Sequence, residues 1–368
     1  MTDRETGLAG LRLALEADGD GAHPAAWRHS GRAPGAVLGP RALRDVVAAA
    51  EGAGFDLVTF ADSPLPPGTG PGAAGRLEAG TRASYAAPLT GRIGLAPTLH
   101  VATTEPFHLA TQLASLDHAS HGRAGWVVGG ASDHDDLATV GGAALPAAAL
   151  ARETADVIDT ARALWDSWED DAVIKDVASG RFLDPSRVHH IDFEGASFTV
   201  KGPLITPRPP QGQIVVLAPD TLDVDARADV VLVGRPDLAA VATRAAKARE
   251  AGAPLVFAEV EVVLDAAVPA TDRLAELDGA AAWPPDQGRL RHVGSPESLL
   301  ELLRELADSV DGVRLRPAVL AVDLPVLAEQ VLPELTGARV PGAGATLRDT
   351  LGLARPANRY AAAAATNA

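Results

Sequence analysis

The stretch "EPFHLATQLASLDHASHGRAGWVVGG" (105–130) sets the pattern for the whole chain. Leu109, Leu113 and Leu116 recur at helical spacing and predict one apolar face. Gly122 marks the end of that helix. The run "RAGWVVGG" (123–130) is then almost unbroken in apolar character, as expected of a parallel strand covered on both sides. The same unit recurs along the sequence. Strand-like runs are "LRLALEA" (11–17), "FDLVTFAD" (55–62), "RIGLAPTLH" (92–100) and 123–130, then "QIVVLAP" (213–219), "DVVLVG" (229–234), "PLVFAEVEVVL" (254–264) and "GVRLRPAVL" (312–320).

Helical patterns fall between these runs: "PRALRDVVAAAEGAG" (40–54), 105–122, "ALARETADVIDTARALWDSWEDD" (149–171), "RPDLAAVATRAAKAREAG" (235–252) and "SPESLLELLRELADSV" (295–310). In the last, Ser295 is placed to cap the helix and Pro296 to open it. A fifth barrel helix, near "DTLDVDARA", is expected to be unusually short. Alternating β and α units in eight copies predict a (β/α)8 TIM barrel. An open doubly wound sheet is the competing arrangement, and strand count together with length favours the barrel. One barrel domain is expected over 1–360, with 361–368 a disordered tail.

The chain has 368 residues, 47% of them apolar, and a formal net charge of −16. An acidic surface repels phosphate backbones and argues against nucleic acid as a partner. There is no cysteine, so disulfides, thiolate nucleophiles and cysteine metal sites are excluded together. The N-terminal "MTDRETGLAGLRLALEADGDG" shows no basic segment followed by an apolar core, and no apolar run approaches a bilayer span. A soluble, cytoplasmic protein with no membrane contact is expected. Two stretches interrupt the alternation. An insertion over about 172–212, between the fourth helix and the fifth strand, contains a β-hairpin pattern, "VHHIDFEGASFTVKGPL", with Glu194-Gly195 as its turn. "PLPPGTGPGAAG" (64–75) follows the second strand. Both would lie near the C-terminal rim, where barrels build their sites.

Several segments carry a likeness in order along the chain: "HPAAWRH" (23–29), "GFDLVTFADS" (54–63), "LASLDHASHGRAGW" (113–126), "ALWDSWEDDAV" (163–173), "IDFEGASFTVKGPLITPRPPQGQ" (191–213) and "LGLARPANRY" (351–360). The sequence resembles the bacterial-luciferase-like flavin monooxygenases, in the branch of nitrilotriacetate monooxygenase, dibenzothiophene-sulfone monooxygenase and pristinamycin IIA synthase. The resemblance implies a luciferase-like barrel, dimeric or tetrameric. It implies reduced FMN, supplied by a separate reductase, that reacts with O2 to oxygenate a small organic substrate. The protein's share is to bind flavin, exclude water and orient the substrate.

The departures fall where the family holds its flavin. Val127 stands for an asparagine, and Gly129-Gly130 for a hydroxyl pair. His100, Val101 and Ala102 replace a hydroxyl-rich segment. Leu150 and Ala151 replace an Arg-Tyr pair. After the fifth strand the family uses a helix N-terminus near the flavin phosphate, which suits an anion. This chain reads "LAPDTLDVDARADVVLV": Pro219 has no N–H to give, and Asp220, Asp223 and Asp225 repel an anion.

The catalytic candidate is His100, a base or substrate donor at a strand end; its other reading is a satisfied core histidine. Cofactor-binding candidates are Asp62, Gly129, Gly130, Thr221 and Arg235. Asp62 is the clearest survivor of the family's flavin-facing positions; its alternative role is to cap the following loop. The glycines would let a planar ring approach the backbone, or form a bulge. Thr221 lies in the altered loop, and Arg235 would replace a lost anion contact or stand as a surface charge. "SDHDD" (132–136) and His189-His190 read as rim and hairpin surface, so no metal is expected. The alternatives to the monooxygenase are a cofactor-poor, non-catalytic paralogue acting as a binding or partner subunit, and a deazaflavin-dependent oxidoreductase.

Overall fold

The computed structural model describes residues 10–66, 75–283, 288–335, 342 and 344–361. Eight parallel strands close on themselves: β1 (Arg12–Ala17), β2 (Leu57–Phe60), β3 (Gly94–His100), β4 (Gly125–Gly129), β5 (Val215–Pro219), β6 (Val230–Val233), β7 (Leu255–Leu264) and β8 (Gly312–Pro317). Each pairs with the next, and β8 returns to β1. The expected (β/α)8 barrel is present. Around it lie α1 (Pro40–Ala53), α2 (Ala79–Ala86), α3 (Pro106–Ala119), α4 (Ala147–Asp166), α5 (Leu238–Glu250), α6 (Ala270–Ala280), α7 (Pro296–Ala307) and α8 (Leu320–Val326).

Strand alternation sorts the core into two shells. Leu13, Leu15, Val58, Phe60, Trp126 and Val216 face the helices. Leu109, Leu113 and Leu116 of α3 are buried in that shell, each side chain contributing roughly 1.5–3 kcal/mol by leaving water. The opposite parity (Ala14, Leu57, Ala96, Val127, Leu217, Phe257) fills the barrel interior, and Leu347 and Leu351 pack into this inner cluster from the C-terminal segment. Trp126 is fully buried and donates its indole N–H to the Leu99 carbonyl at 3.1 Å, which makes it core.

The segments that carry the resemblance tie this scaffold together. Asp117 of α3 accepts from the backbone N–H of Ala124 and from the Gln211 amide. Arg123 donates to the carbonyls of Ser120, Ile93, Ala87 and Thr90. Arg208, in the insertion, pairs with Asp166 at 2.9 Å and Asp170 at 2.8 Å. Asn358 donates to the carbonyls of Asp166 and Trp168.

Several sequence expectations need correction. The run 55–62 is a strand only over Leu57–Phe60, and 312–320 ends at Pro317 because Leu320 starts α8. A further parallel strand, Leu290–Gly294, adds to the outer half of β7; its charged "LRHVG" hides it from a hydrophobic scan. "DTLDVDARA" forms no α-helix, only a 3-10 turn at Asp225–Arg227. In the hairpin, Phe193–Glu194 pairs with Thr199–Val200 and Gly195 donates to the Phe198 carbonyl at 2.9 Å. The turn is therefore 195–198, not Glu194-Gly195. A second small hairpin, Val173–Asp176 with Arg181–Leu183, precedes it. The tail 362–368, and 67–74 of the proline-glycine stretch, lie outside the described residues. Among the described residues no helix is long and apolar enough to cross a membrane.

Candidate functional site

The C-terminal ends of the strands form the face on which such barrels carry chemistry. His100 ends β3. Its Nδ1 accepts from the Ala131 backbone N–H at 3.3 Å, and its Nε2 is buried with no hydrogen-bond partner. Burial lowers the pKa of the ring, against the pull of the Asp62 backbone and charge. The neutral ring is therefore favoured, and its Nε2 leans on the Asp62 backbone without completing a hydrogen bond.

Asp62 spends its carboxylate on the backbone: Oδ1 accepts from Ser63 N–H at 2.8 Å and Oδ2 from Ala79 N–H at 2.6 Å. It takes the first N–H of α2, beside the capping carboxylate of Glu78, and lies close enough to His100 to bias it electrostatically. Gly129 lies under the His100 ring: a Cβ there would run into Nδ1. Gly130 is covered by Leu222, whose Cδ2 would be 2.5 Å from a Cβ. Both glycines make room for the chain's own side chains. Thr221 is exposed while its neighbour Leu222 is buried. Arg235 is not free: its Nη2 is 2.6 Å from Asp220 Oδ2.

Sequence reasoning missed two features. The first is a charged layer inside the barrel. Arg314 bridges Glu16 (2.7 Å) and Glu259 (2.6 Å). Arg316 pairs with Glu16 at 2.7 Å, Arg289 with Glu259 at 3.0 Å, and Arg291 with Glu261 at 2.7 Å. Burial pushes the Glu259 carboxyl up, but Arg314, Arg289 and Arg316 outweigh it and hold the pKa at about 2. The signal was present in the sequence: glutamate and arginine at alternate positions of apolar strands, as in "FAEVEVV" and "VRLRP".

The second is a cavity of about 450 Å³ beside the end of β1. Val37, Leu43, Val46, Leu77 and Leu320 give it apolar walls, and Asp18, Arg76 and Arg82 a polar edge. Asp18 and Arg76 are 3.5 Å apart, and burial raises the Asp18 pKa in spite of that arginine. Arg82 anchors the edge by donating to the carbonyls of Ala17 and Ala61. The turn carrying Trp27 is held by His23, whose Nδ1 accepts from Ala25 N–H at 3.0 Å and whose Nε2 lies 3.1 Å from Asp278. Several separate segments build the cavity, and the segment "HPAAWRH" (23–29), which carries part of the resemblance, supplies one of its walls.

With barrel, catalytic face and cavity in place, comparison with known proteins decides the family. Residues 21–292 match the luciferase-like monooxygenases. The chain belongs to that family. It is 34% identical to one of the subunits of pristinamycin IIA synthase from Streptomyces pristinaespiralis, covering 90% of this chain and 94% of the other. It is 27% identical to N-acetyl-S-(2-succino)cysteine monooxygenase of Bacillus subtilis (strain 168), over 95% and 98% of the two chains. The structure superposes on EDTA monooxygenase from Chelativorans sp. BNC1 with a TM-score of 0.80 at 19% identity, over 94% and 99% of the chains.

As a luciferase-like monooxygenase, the protein is an oxidoreductase of the flavin-dependent class. Its residues fit that cofactor unevenly. The Nε2 of His100 completes no hydrogen bond within the chain, but it is closed off from solvent. The ends of β5 and β6 do not fit a flavin phosphate: Arg235 and Arg244 are both taken by Asp220, Pro219 lacks an N–H, and no α-helix begins in the loop.

Proposed function

We propose that this luciferase-like barrel is the oxygenase of a two-component system. It takes reduced flavin from a separate reductase and uses O2 to put one oxygen atom into a small, mainly apolar organic substrate. The second oxygen leaves as water. The observation that carries this reading is the family match over most of the chain, with an apolar cavity at the catalytic end of β1. About 450 Å³ is in the range of pockets that enclose drug-sized ligands. The substrate occupies this cavity, and His100 at the end of β3 is the proposed catalytic residue. A homodimer or homotetramer is the expected assembly, which light scattering measures.

The ion pairs of Asp220 favour a second reading, a cofactor-poor barrel that serves as partner to a catalytic subunit. One titration separates the two. Purified protein is mixed with riboflavin, FMN, reduced FMN and a deazaflavin, and binding is followed by fluorescence and heat. Micromolar binding of a reduced flavin supports the oxygenase. Absence of binding to all four below about millimolar, where only about −4 kcal/mol is available, rules the oxygenase out in favour of the partner subunit.

A further inference from the structure

Asp220 is the first residue after β5. Its carboxylate is 3% exposed, with Oδ2 2.6 Å from Arg235 Nη2 and 3.1 Å from Arg244 Nε. Its backbone N–H donates to the Leu232 carbonyl, which pins it at the end of β6. Arg244 also pairs with Asp225 at 2.7 Å. Two arginines thus face two aspartates, and with both carboxylates ionised the four charges cancel, although burial raises the Asp220 pKa in spite of the arginines. A carboxylate this buried is tolerable only because both guanidiniums hold it. A carboxylate between two arginines also presents the charge and the acceptor oxygens of one edge of a phosphate.

We propose that Asp220 occupies, from within the chain, the place an external phosphate would take on Arg235 and Arg244, so that the barrel accepts a flavin without reading its terminal phosphate. This rests on the flavin-dependent reading above. FMN and riboflavin differ only in that phosphate. The wild-type protein is therefore expected to bind them within about threefold of each other. Asp220→Asn removes the internal anion and leaves the two arginines with one uncompensated positive charge. Its preference for FMN over riboflavin is expected to rise at least tenfold, which is about 1.4 kcal/mol. Inorganic phosphate is expected to raise the melting temperature of D220N and not that of the wild type.

A tenfold or greater preference for FMN in the wild type, or an unchanged ratio in D220N, overturns the proposal. If neither protein binds any flavin, the oxygenase reading fails and the flavin half of this proposal fails with it; the phosphate melting test then decides the remaining half, that Asp220 fills an anion site: stabilisation of D220N alone supports it, any other result overturns it. If D220N does not fold, the wild-type ratio is read together with Arg235→Gln. An unaltered FMN-to-riboflavin ratio in R235Q supports the proposal, and a tenfold fall refutes it.

Discussion

Replacing Glu259 by glutamine tests the charged layer directly. The carboxylate is 5% exposed and lies 2.6 Å from Arg314 and 3.0 Å from Arg289. At an effective dielectric of about 20, each contact is worth roughly 6 kcal/mol before desolvation. Desolvation offsets most of that. Removing one member of such a cluster nevertheless costs about 3–5 kcal/mol, because the remaining charge stays buried. The depressed pKa of Glu259 implies a similar figure. A pKa of about 2 against the ordinary 4.5 corresponds to roughly 3 kcal/mol of linkage. The folded-state pKa is depressed, so this stability is present above pH 4.5 and is lost as pH falls toward 2. Urea denaturation followed by circular dichroism is expected to show E259Q about 3–5 kcal/mol less stable than wild type at pH 7. The gap is expected to narrow steadily below pH 4.5. Adding Arg314→Met to E259Q removes a guanidinium that the first change left without Glu259, and is expected to recover part of the loss. A loss under about 1 kcal/mol at pH 7, or a gap that is the same at pH 3 and pH 7, would falsify the account of the layer as a mutually dependent charge cluster.

Three further outcomes are expected. Val46→Trp projects an indole into the cavity beside β1; once a substrate is known, its KM should rise at least tenfold with the melting temperature little changed, and an unaltered KM places the substrate elsewhere. Gly129→Ala pushes a methyl group into the His100 ring; a loss of about 1–3 kcal/mol is expected from overpacking, and NMR titration should show the histidine pKa moving up as the ring is displaced toward water. Asp117 has its pKa raised to about 6 by burial, against its bonds from Ala124 and Gln211. Its folded-state pKa lies above the ordinary 3.8, so its contribution is fully present below about pH 4 and is lost as pH rises through 6. The stability of wild type relative to Asp117→Asn should therefore fall by roughly 3 kcal/mol between pH 4 and pH 7, and a constant difference across that window would contradict the placement of this carboxylate.

The sequence by itself determined the barrel. Period and run length are local properties, and runs such as "RAGWVVGG" and helices such as 106–119 carry them plainly. It also determined the family, because the segments that resemble it are the ones that brace the scaffold, as Asp117, Arg123, Arg208 and Asn358 do. It did not determine the site. Asp62, Gly129, Gly130 and Arg235 were candidates by their position at strand ends, and position leaves open what each side chain meets. Tertiary structure decided that Asp62 binds the first N–H of α2, that His100 and Leu222 fill the space above the two glycines, and that Arg235 is claimed by Asp220. It also decided the inner charge cluster and the cavity beside β1. Glu16 and Arg314 are 298 positions apart, and only closure of β8 onto β1 brings them within bonding distance. Backbone periodicity is written along the chain, whereas the pairing of buried charges depends on which strands become neighbours.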